Sequence, residues 1–600
     1  MKKSWFMPLL VTLGLLVLSA CAQKDAPPEQ AAQSVDESAK LHDLVEQYWQ
    51  DSLVLNPLMA SFVGDNRYND RYVGGISPQE RAAELDLQQR YLDAAKALDG
   101  TTLGAEDRLT LELFVDGREE EIEGFSFPTH LLPISQFRNP AAFFVLLGSG
   151  ASVHPFKTVK DYDDFLGRVN GFVEWSDQAI VNMREGIKQG VVQPRILMEK
   201  VLPQLSAQFA DKAEDSMFWK PITDMPADFP EADKQRLQSA YKDAIETRLM
   251  PVYHKLYTFI EQEYLPKTRE SVGMSGLPDG EQWYAYQVRN ITTTDLTPEQ
   301  IHEIGLREVA RIQAEMAAVM EQVGFKGDMQ AFFDYLNSDP KFYFTREEDL
   351  IAGYNALRER LDQAVPAMFS RMPKAGFEIR PVEAFRAKSA SGGSYMSPTP
   401  DGSRPGVFYV NTYDLSARPS WAMESLFLHE AIPGHHFQGA LAVELDQLPS
   451  FRRFGGYTAY SEGWGLYAES LGKELGMYQD PYQYFGALAA ELWRAIRLVV
   501  DTGLHSKDWS RQQVLDYMYA NTAIKEARAV SEAERYIAIP GQALAYKIGQ
   551  LKIRELRTRS EKALGEKFDI KAFHAQVLED GELPLSVLET KIDRWVASQL

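Results

Sequence analysis

The segment Leu428-His429-Glu430-Ala431-Ile432-Pro433-Gly434-His435-His436-Phe437-Gln438 places three of the chain's ten histidines within eight residues, beside a glutamate, in an apolar helical setting. Imidazoles and carboxylates are the donors that hold a catalytic zinc, which takes three protein ligands and keeps a position for water. The metal's charge lowers the pKa of that water towards neutrality and polarises a scissile carbonyl. A glutamate next to the first ligand can take the water's proton and pass it to the leaving amine. A second acidic element follows, Tyr460-Ser461-Glu462-Gly463-Trp464-Gly465-Leu466-Tyr467-Ala468-Glu469. Together the two elements point to a zinc hydrolase of the kind that cuts peptides.

The spacing constrains the backbone. In the common arrangement two histidines stand four residues apart on one helix face. Here the fourth residue after His429 is Pro433, and the next histidines are His435 and His436. On a regular helix six residues give a rise of about 9 Å and a turn to another face; seven restore the face but separate the rings by roughly 10.5 Å. Neither suits two ligands that each lie about 2 Å from one zinc. Pro433 lacks an N–H, and its ring clashes with the carbonyl of residue 429. Gly434 permits an unusual backbone. A metal site therefore requires a broken or bulged helix that swings a later histidine back towards His429. The competing interpretation is a kink whose histidines are satisfied by backbone groups. A His-Glu pair alone carries little, since His302-Glu303 stands in an ordinary charged helix.

His-Glu-x-x-Pro-Gly-His followed by Glu-Gly-Trp-x-x-Tyr-x-Glu resembles the bacterial DUF885 family, which looks like a distant relative of helical zinc peptidases of the thimet oligopeptidase and thermostable carboxypeptidase type. Residues 296–306, 497–505 and 535–546 also resemble family elements, so the likeness extends over most of the chain after about residue 40. The resemblance implies Zn2+ as cofactor and a peptide as substrate. It implies His429 as first ligand, Glu430 as general base, His435 as second ligand with His436 secondary, and Glu462 as third ligand. Glu469, seven residues on, shares a helix face with Glu462. It is an alternative ligand or a carboxylate that fixes a ligating histidine. Trp464 and Tyr467 read as packing residues. A non-catalytic binding lipoprotein of the same fold, and a zinc hydrolase of another amide or an ester, are the alternatives. Endo- or exopeptidase action and oligomeric state stay open.

An acyl-transfer site also needs donors for a developing oxyanion. Arg497, Asp501 and His505 recur every four residues and form one polar stripe on an otherwise apolar helix. His505 could donate to the oxyanion, and Asp501 could orient a histidine. Tyr536 and Tyr546 are further donor candidates, and Arg535 could bind a substrate carboxylate. A buried salt-bridge network between helices would explain the same stripe.

Before the metal segment, residues 391–406 are rich in turn formers, and Val407–Thr412 reads as a short strand. In the related peptidases such a strand and glycine-rich loop border the substrate cleft. A bound peptide could add to that edge, which makes Tyr409 a candidate substrate contact.

Most of the remaining chain reads as helix. Apolar periodicity marks Leu41–Leu53, Pro78–Leu98, Asp161–Gln189, Lys234–Glu263, Pro298–Val323, Arg346–Val365, Ala422–Leu445, Pro481–Thr502 and Arg511–Tyr519. The expected fold is mainly α: a large helical zinc-peptidase-like body with a cleft and a small strand element before the metal helix. No Pro/Gly/Ser linker divides residues 41–600, which form one domain, with two lobes conceivable about residues 291–297.

The N-terminus sets the compartment. Lys2 and Lys3 precede an apolar run from Trp5 to Leu18, then Leu18-Ser19-Ala20-Cys21. This reads as a secretory signal over residues 1–20, with Cys21 resembling the lipidated cysteine of a bacterial lipobox. The run is short for a membrane span. Residues 21–40 read as a tether. Ala22 follows the cysteine, with no aspartate there to retain the protein at the inner membrane, which favours the outer membrane facing the periplasm or the cell surface. Cys21 is the only cysteine, so the folded body contains no disulfide. The net charge of -22 argues against nucleic acid and against a basic membrane-binding face, leaving the lipid as the membrane contact. Cys21→Ala should leave an unprocessed or soluble protein. Unchanged processing and membrane fractionation would count against lipidation.

Overall fold

Strong local start signals launch several helices. Thr297 accepts the N–H of Gln300 while the Gln300 side chain accepts the N–H of Thr297, and Pro298 takes the first helical position. Ser77, Thr158 and Ser510 begin helices with the same reciprocal pair. The computed structural model describes residues 28–383, 387, 390–399 and 404–600, with side chains from Glu37 onward. The chain is mainly helical, with one small three-stranded sheet. Cys21 and the signal segment lie outside the described residues. Residues 28–40, read as tether, are helical and continuous with the first helix, Pro28–Leu55. Among the described residues no helix is long and apolar enough to cross a membrane.

The helices that frame the site are labelled α1 (Pro298–Gln322), α2 (Met423–Glu430), α3 (His435–Val443), α4 (Thr458–Ser470), α5 (Pro481–Ser506), α6 (Glu526–Ala538) and α7 (Ala545–Leu564). Helix α5 is the spine. Residues Ala495–His505 are buried on every face, as expected of a helix inside a core. Helix α1 packs along it, and α4 packs along α7. The second pairing depends on two glycines. A Cβ on Gly549 would stand 1.9 Å from the Ala459 carbonyl oxygen and 2.6 Å from the Gly463 Cα. With hydrogens there, the two backbones touch.

One expectation holds and another changes. The helical periodicity over Ala422–Leu445 is interrupted at Pro433, as the sequence requires, which leaves α2 and α3. The run over Lys234–Glu263 stays helical but widens into π turns at Ile245–Leu249 and Ile260–Tyr264. The first lies just before Pro251, whose ring cannot sit over a regular i−4 carbonyl.

The strands are β1 (Phe377–Pro381), β2 (Gly393–Met396) and β3 (Gly406–Val410), in the order β1-β3-β2. β1 runs parallel to β3 and β2 antiparallel to it, with Tyr409 opposite Arg380 and Ser394. The strand expected at Val407–Thr412 is therefore the middle one, and it ends at Val410. Its hydrogen-bonding groups already face neighbours on both sides, so no peptide can add to it. The glycine-rich stretch expected as loop supplies the edge strand β2 instead. The sheet, α2, α4 and α7 share one apolar cluster that includes Phe408, Phe427, Leu428, Trp464 and Ile553.

Gly549→Ala should lower stability by about 1–3 kcal/mol, because the methyl has no room without parting α4 from α7. Chemical denaturation would measure this. An unchanged midpoint would mean that the two helices separate freely.

Candidate metal centre

Helix α2 stops at Glu430 and α3 starts at His435. Between them the Ile432–Pro433 peptide is cis. A Cβ on Gly434 would stand 1.9 Å from the His429 carbonyl oxygen and 2.3 Å from that of Leu428, so only glycine fits. The indole N–H of Trp464 donates to the Pro433 carbonyl at 2.8 Å and ties the broken segment to α4. Trp464 is thus more than packing. The break brings the His429 and His435 rings to 4.7 Å between centroids, nearly perpendicular.

Helix α4 supplies the third group. Glu462 Oε2 lies 3.5 Å from His429 Nε2 and 3.4 Å from His435 Nε2. Donor atoms of the three residues all fall within 4.8 Å of one another. Ligands held at 2.0–2.1 Å in a tetrahedron stand roughly 3.3–3.4 Å apart, so two of the three edges already have metal-site dimensions. Gly465 lets α4 come this close, since a Cβ there would be 2.8 Å from the His429 ring. Glu462 Oε2 is buried and makes no hydrogen bond. A buried carboxylate oxygen without a donor is costly, and a cation would satisfy it. Two imidazoles and one carboxylate, whose oxygen lacks a donor, fit a zinc-type ion.

The opposite side of the His429 ring is fixed. Nδ1 donates to Glu469 Oε1 at 2.8 Å. The other Glu469 oxygen accepts from the Ser425 hydroxyl, and Arg494 stands 3.6 Å away. Burial alone would pull the His429 pKa down, but Glu462 and Glu469 raise it to about 10. Burial pushes Glu462 up, and the two imidazoles hold it well below the ordinary carboxylate range. Without a cation, carboxylates this close retain a proton on the imidazole; a divalent ion would replace that proton. Glu430 ends α2, half-buried beside His429.

The structure brings His429, His435, Glu462, Glu469 and Glu430 together and sends His436 elsewhere. His436 accepts the Tyr395 hydroxyl on Nδ1 at 2.8 Å and packs on Phe377, and burial lowers its pKa to about 4. One neighbour escaped sequence reading. Glu582 accepts the Tyr457 N–H and the Gln438 amide, and its charge acts on His435 and Glu462. It comes from a loop far along the chain, and no local motif marks it.

The polar stripe on α5 turns out to be structural. His505 is fully buried; Nδ1 accepts the Met274 N–H at 3.1 Å and Nε2 donates to the Tyr536 carbonyl at 3.0 Å. With both nitrogens engaged, it has no donor for an oxyanion, and burial lowers its pKa to about 3. Asp501 orients no histidine. It accepts the Tyr284 hydroxyl at 2.6 Å and the Gly541 N–H at 3.1 Å. The Tyr536 hydroxyl donates to Glu532 at 2.6 Å and accepts from Arg497 at 2.9 Å, inside the protein. Tyr546 keeps a looser hydroxyl, with contacts of 3.4 Å to Arg535 and Gln542. Arg535 is bound to Gln542 at 2.8 Å and stands 3.8 Å from Glu532. Tyr409 is half-buried in the middle strand.

Fold and site define a helical protein with a half-buried two-histidine, one-glutamate cluster built across a helix break. The chain belongs to the DUF885 family, bacterial proteins of unknown function, whose model matches residues 57–592. A solved structure from Colwellia psychrerythraea, described as a "putative lipoprotein", is 30% identical, with a TM-score of 0.85 over 94% of this chain and 99% of that one. A second, from Shewanella oneidensis, described as a "putative lipoprotein of unknown function", is 18% identical, with a TM-score of 0.71 over 92% and 99%. It shows the fold alone. No functionally curated protein matches the chain.

Burial pushes Asp501 up to about 7 despite its two hydrogen bonds, against about 3.9 in an unfolded chain. A carboxyl raised on folding adds stability that is complete below its unfolded pKa and is lost as pH rises through its folded one. Asp501→Asn removes this titration. The stability of the variant relative to the parent should therefore rise from about pH 4 to pH 7 and then level off. Urea midpoints across that range would check it, and parallel profiles would refute it.

Proposed function

We propose that this chain is a zinc-dependent hydrolase whose substrates are peptides, carried on a helical zinc-peptidase-like body with the centre in a cleft. The observation that carries this reading is the convergence of His429, His435 and Glu462 donors within 4.8 Å, with Glu430 adjacent and Glu469 on the far side of His429. We also propose that it is exported and lipid-anchored through Cys21 at the outer membrane. Support comes from the signal and lipobox pattern and from the description of the Colwellia psychrerythraea neighbour.

The residues divide the work. His429 and His435 would hold the ion through Nε2, and Glu462 through Oε2. When bound, zinc supplies Lewis acidity that acidifies water and polarises a carbonyl. Glu469, itself held by Ser425, keeps the proton on His429 Nδ1 and so leaves Nε2 as the donor. Glu430 takes the proton of the attacking water on its carboxylate and delivers it to the departing nitrogen. His436 plays no part in this scheme; it supports the sheet.

Zinc-loaded protein beginning at residue 22 should contain one zinc per chain and cleave a mixed-peptide digest. Glu430→Gln should keep the metal and lose turnover by about 10²-fold or more. His435→Ala should lose the metal while His436→Ala keeps it. Glu469→Gln should weaken zinc binding about 10–100-fold. Zinc without cleavage would point to another amide or an ester. No metal in zinc-replete protein would overturn the catalytic reading and leave a binding lipoprotein.

A further inference from the structure

The chain carries a net charge of -22, yet guanidiniums gather beside the metal centre. Arg494 and Arg497 stand three residues apart on one face of α5. Arg528, Glu532 and Arg535 share a face of α6. Two of these cations are satisfied: Arg497 lies 3.1 Å from Glu532, and Arg535 is held by Gln542 and Glu532. Arg418 donates to the carbonyls of Asn411 and Ala417. The Arg528 guanidinium has neither ion pair nor hydrogen bond among the described residues. Its guanidinium lies 5.7 Å from the Trp493 ring centroid. Two buried donors on α5 also lack partners, Trp493 Nε1 and Arg494 Nε, and Trp493 is only 7% exposed.

The position of Arg528 is telling. It is exposed to solvent; burial is the largest pull on its pKa, which is lowered, Glu532 pulls the other way, and Arg497 and Arg494 add repulsion. Its guanidinium thus stands in water beside the buried Trp493 of α5. On one side Arg494 reaches Glu469, the partner of His429. On the other, Arg418 repels Arg528 and lies against Gly392 at the start of the edge strand β2. Tyr354, beside Arg418, feels the charge of Glu430. The cations thus run from the sheet edge to the metal centre. Crowded like charges are destabilising unless something neutralises them, and a guanidinium matches a carboxylate with two parallel hydrogen bonds.

We propose that Arg528, flanked by Arg418 and Arg494, receives a carboxylate of the substrate. The assignment rests on the hydrolase reading above and deepens it: the preferred substrates carry a free α-carboxylate or an acidic side chain within reach of the scissile bond. Arg535, the residue expected from sequence for this role, is engaged within the protein.

The test uses Glu430→Gln protein, which should bind without cleaving, with zinc measured on each sample. Calorimetric titrations compare one short neutral peptide as the free acid, as the C-terminal amide, and as the amide bearing an internal aspartate. The free acid should bind on the order of ten- to a hundredfold tighter than the plain amide. Adding Arg528→Ala should close that gap at unchanged zinc content and melting temperature, and Arg528→Lys should restore part of it. Tight binding of the aspartate-bearing amide would identify a side-chain carboxylate; weak binding would identify the C-terminus. Equal binding of acid and amide, no binding of either, or a gap that survives Arg528→Ala would overturn the proposal. Loss of zinc with the Arg528-dependent gap intact would overturn the metal reading alone.

Discussion

The site depends on one backbone event, the interruption between Glu430 and His435. A continuous helix would hold His429 and His435 about 9 Å apart along its axis; the break brings their rings to 4.7 Å. Proline removes a rung and glycine removes a Cβ that would collide with two carbonyls. A tryptophan on the neighbouring helix then holds the Pro433 carbonyl, which the break leaves without a helical partner. The order of residues in the motif follows from this geometry. Ligand and base end one helix, the breakers follow, and the second histidine opens the next.

The second constraint is electrostatic. His429 is buried, with carboxylates on both ring nitrogens. The two carboxylates differ in role because their surroundings differ. Glu469 is fully engaged by His429, Ser425 and Arg494, while Glu462 keeps a buried oxygen with no donor. One carboxylate is thereby an anchor and the other a ligand in waiting. Helix α4 can present both only because Gly465 lets the imidazole lie against its backbone and the glycine pair at 463 and 549 brings α7 underneath.

Behind the centre, α5 converts polar residues into glue. Asp501 ties Tyr284 to the Gly541 turn, and His505 ties Met274 to Tyr536, so one helix staples segments more than two hundred residues apart. In sequence this stripe looks like catalytic equipment, since both uses demand polar groups on an apolar helix. Periodicity reports that a group faces inward; it does not report whether the inward neighbour is a substrate or a carbonyl.

Much was legible in the residues themselves. Pro433-Gly434 demanded a break, because sterics at those residues are local. The start at Thr297, the mainly helical character and the approximate spans followed from capping and apolar repeats, which are also local. Which histidine faces Glu462 was a tertiary decision: His435 meets it, whereas His436 is captured by Tyr395 and Phe377 from the sheet. The central place of β3, the role of Glu582 and the freedom of Arg528 beside an engaged Arg535 were likewise settled by packing. Each depends on partners distant in the chain, and their distances come into being only when the chain folds.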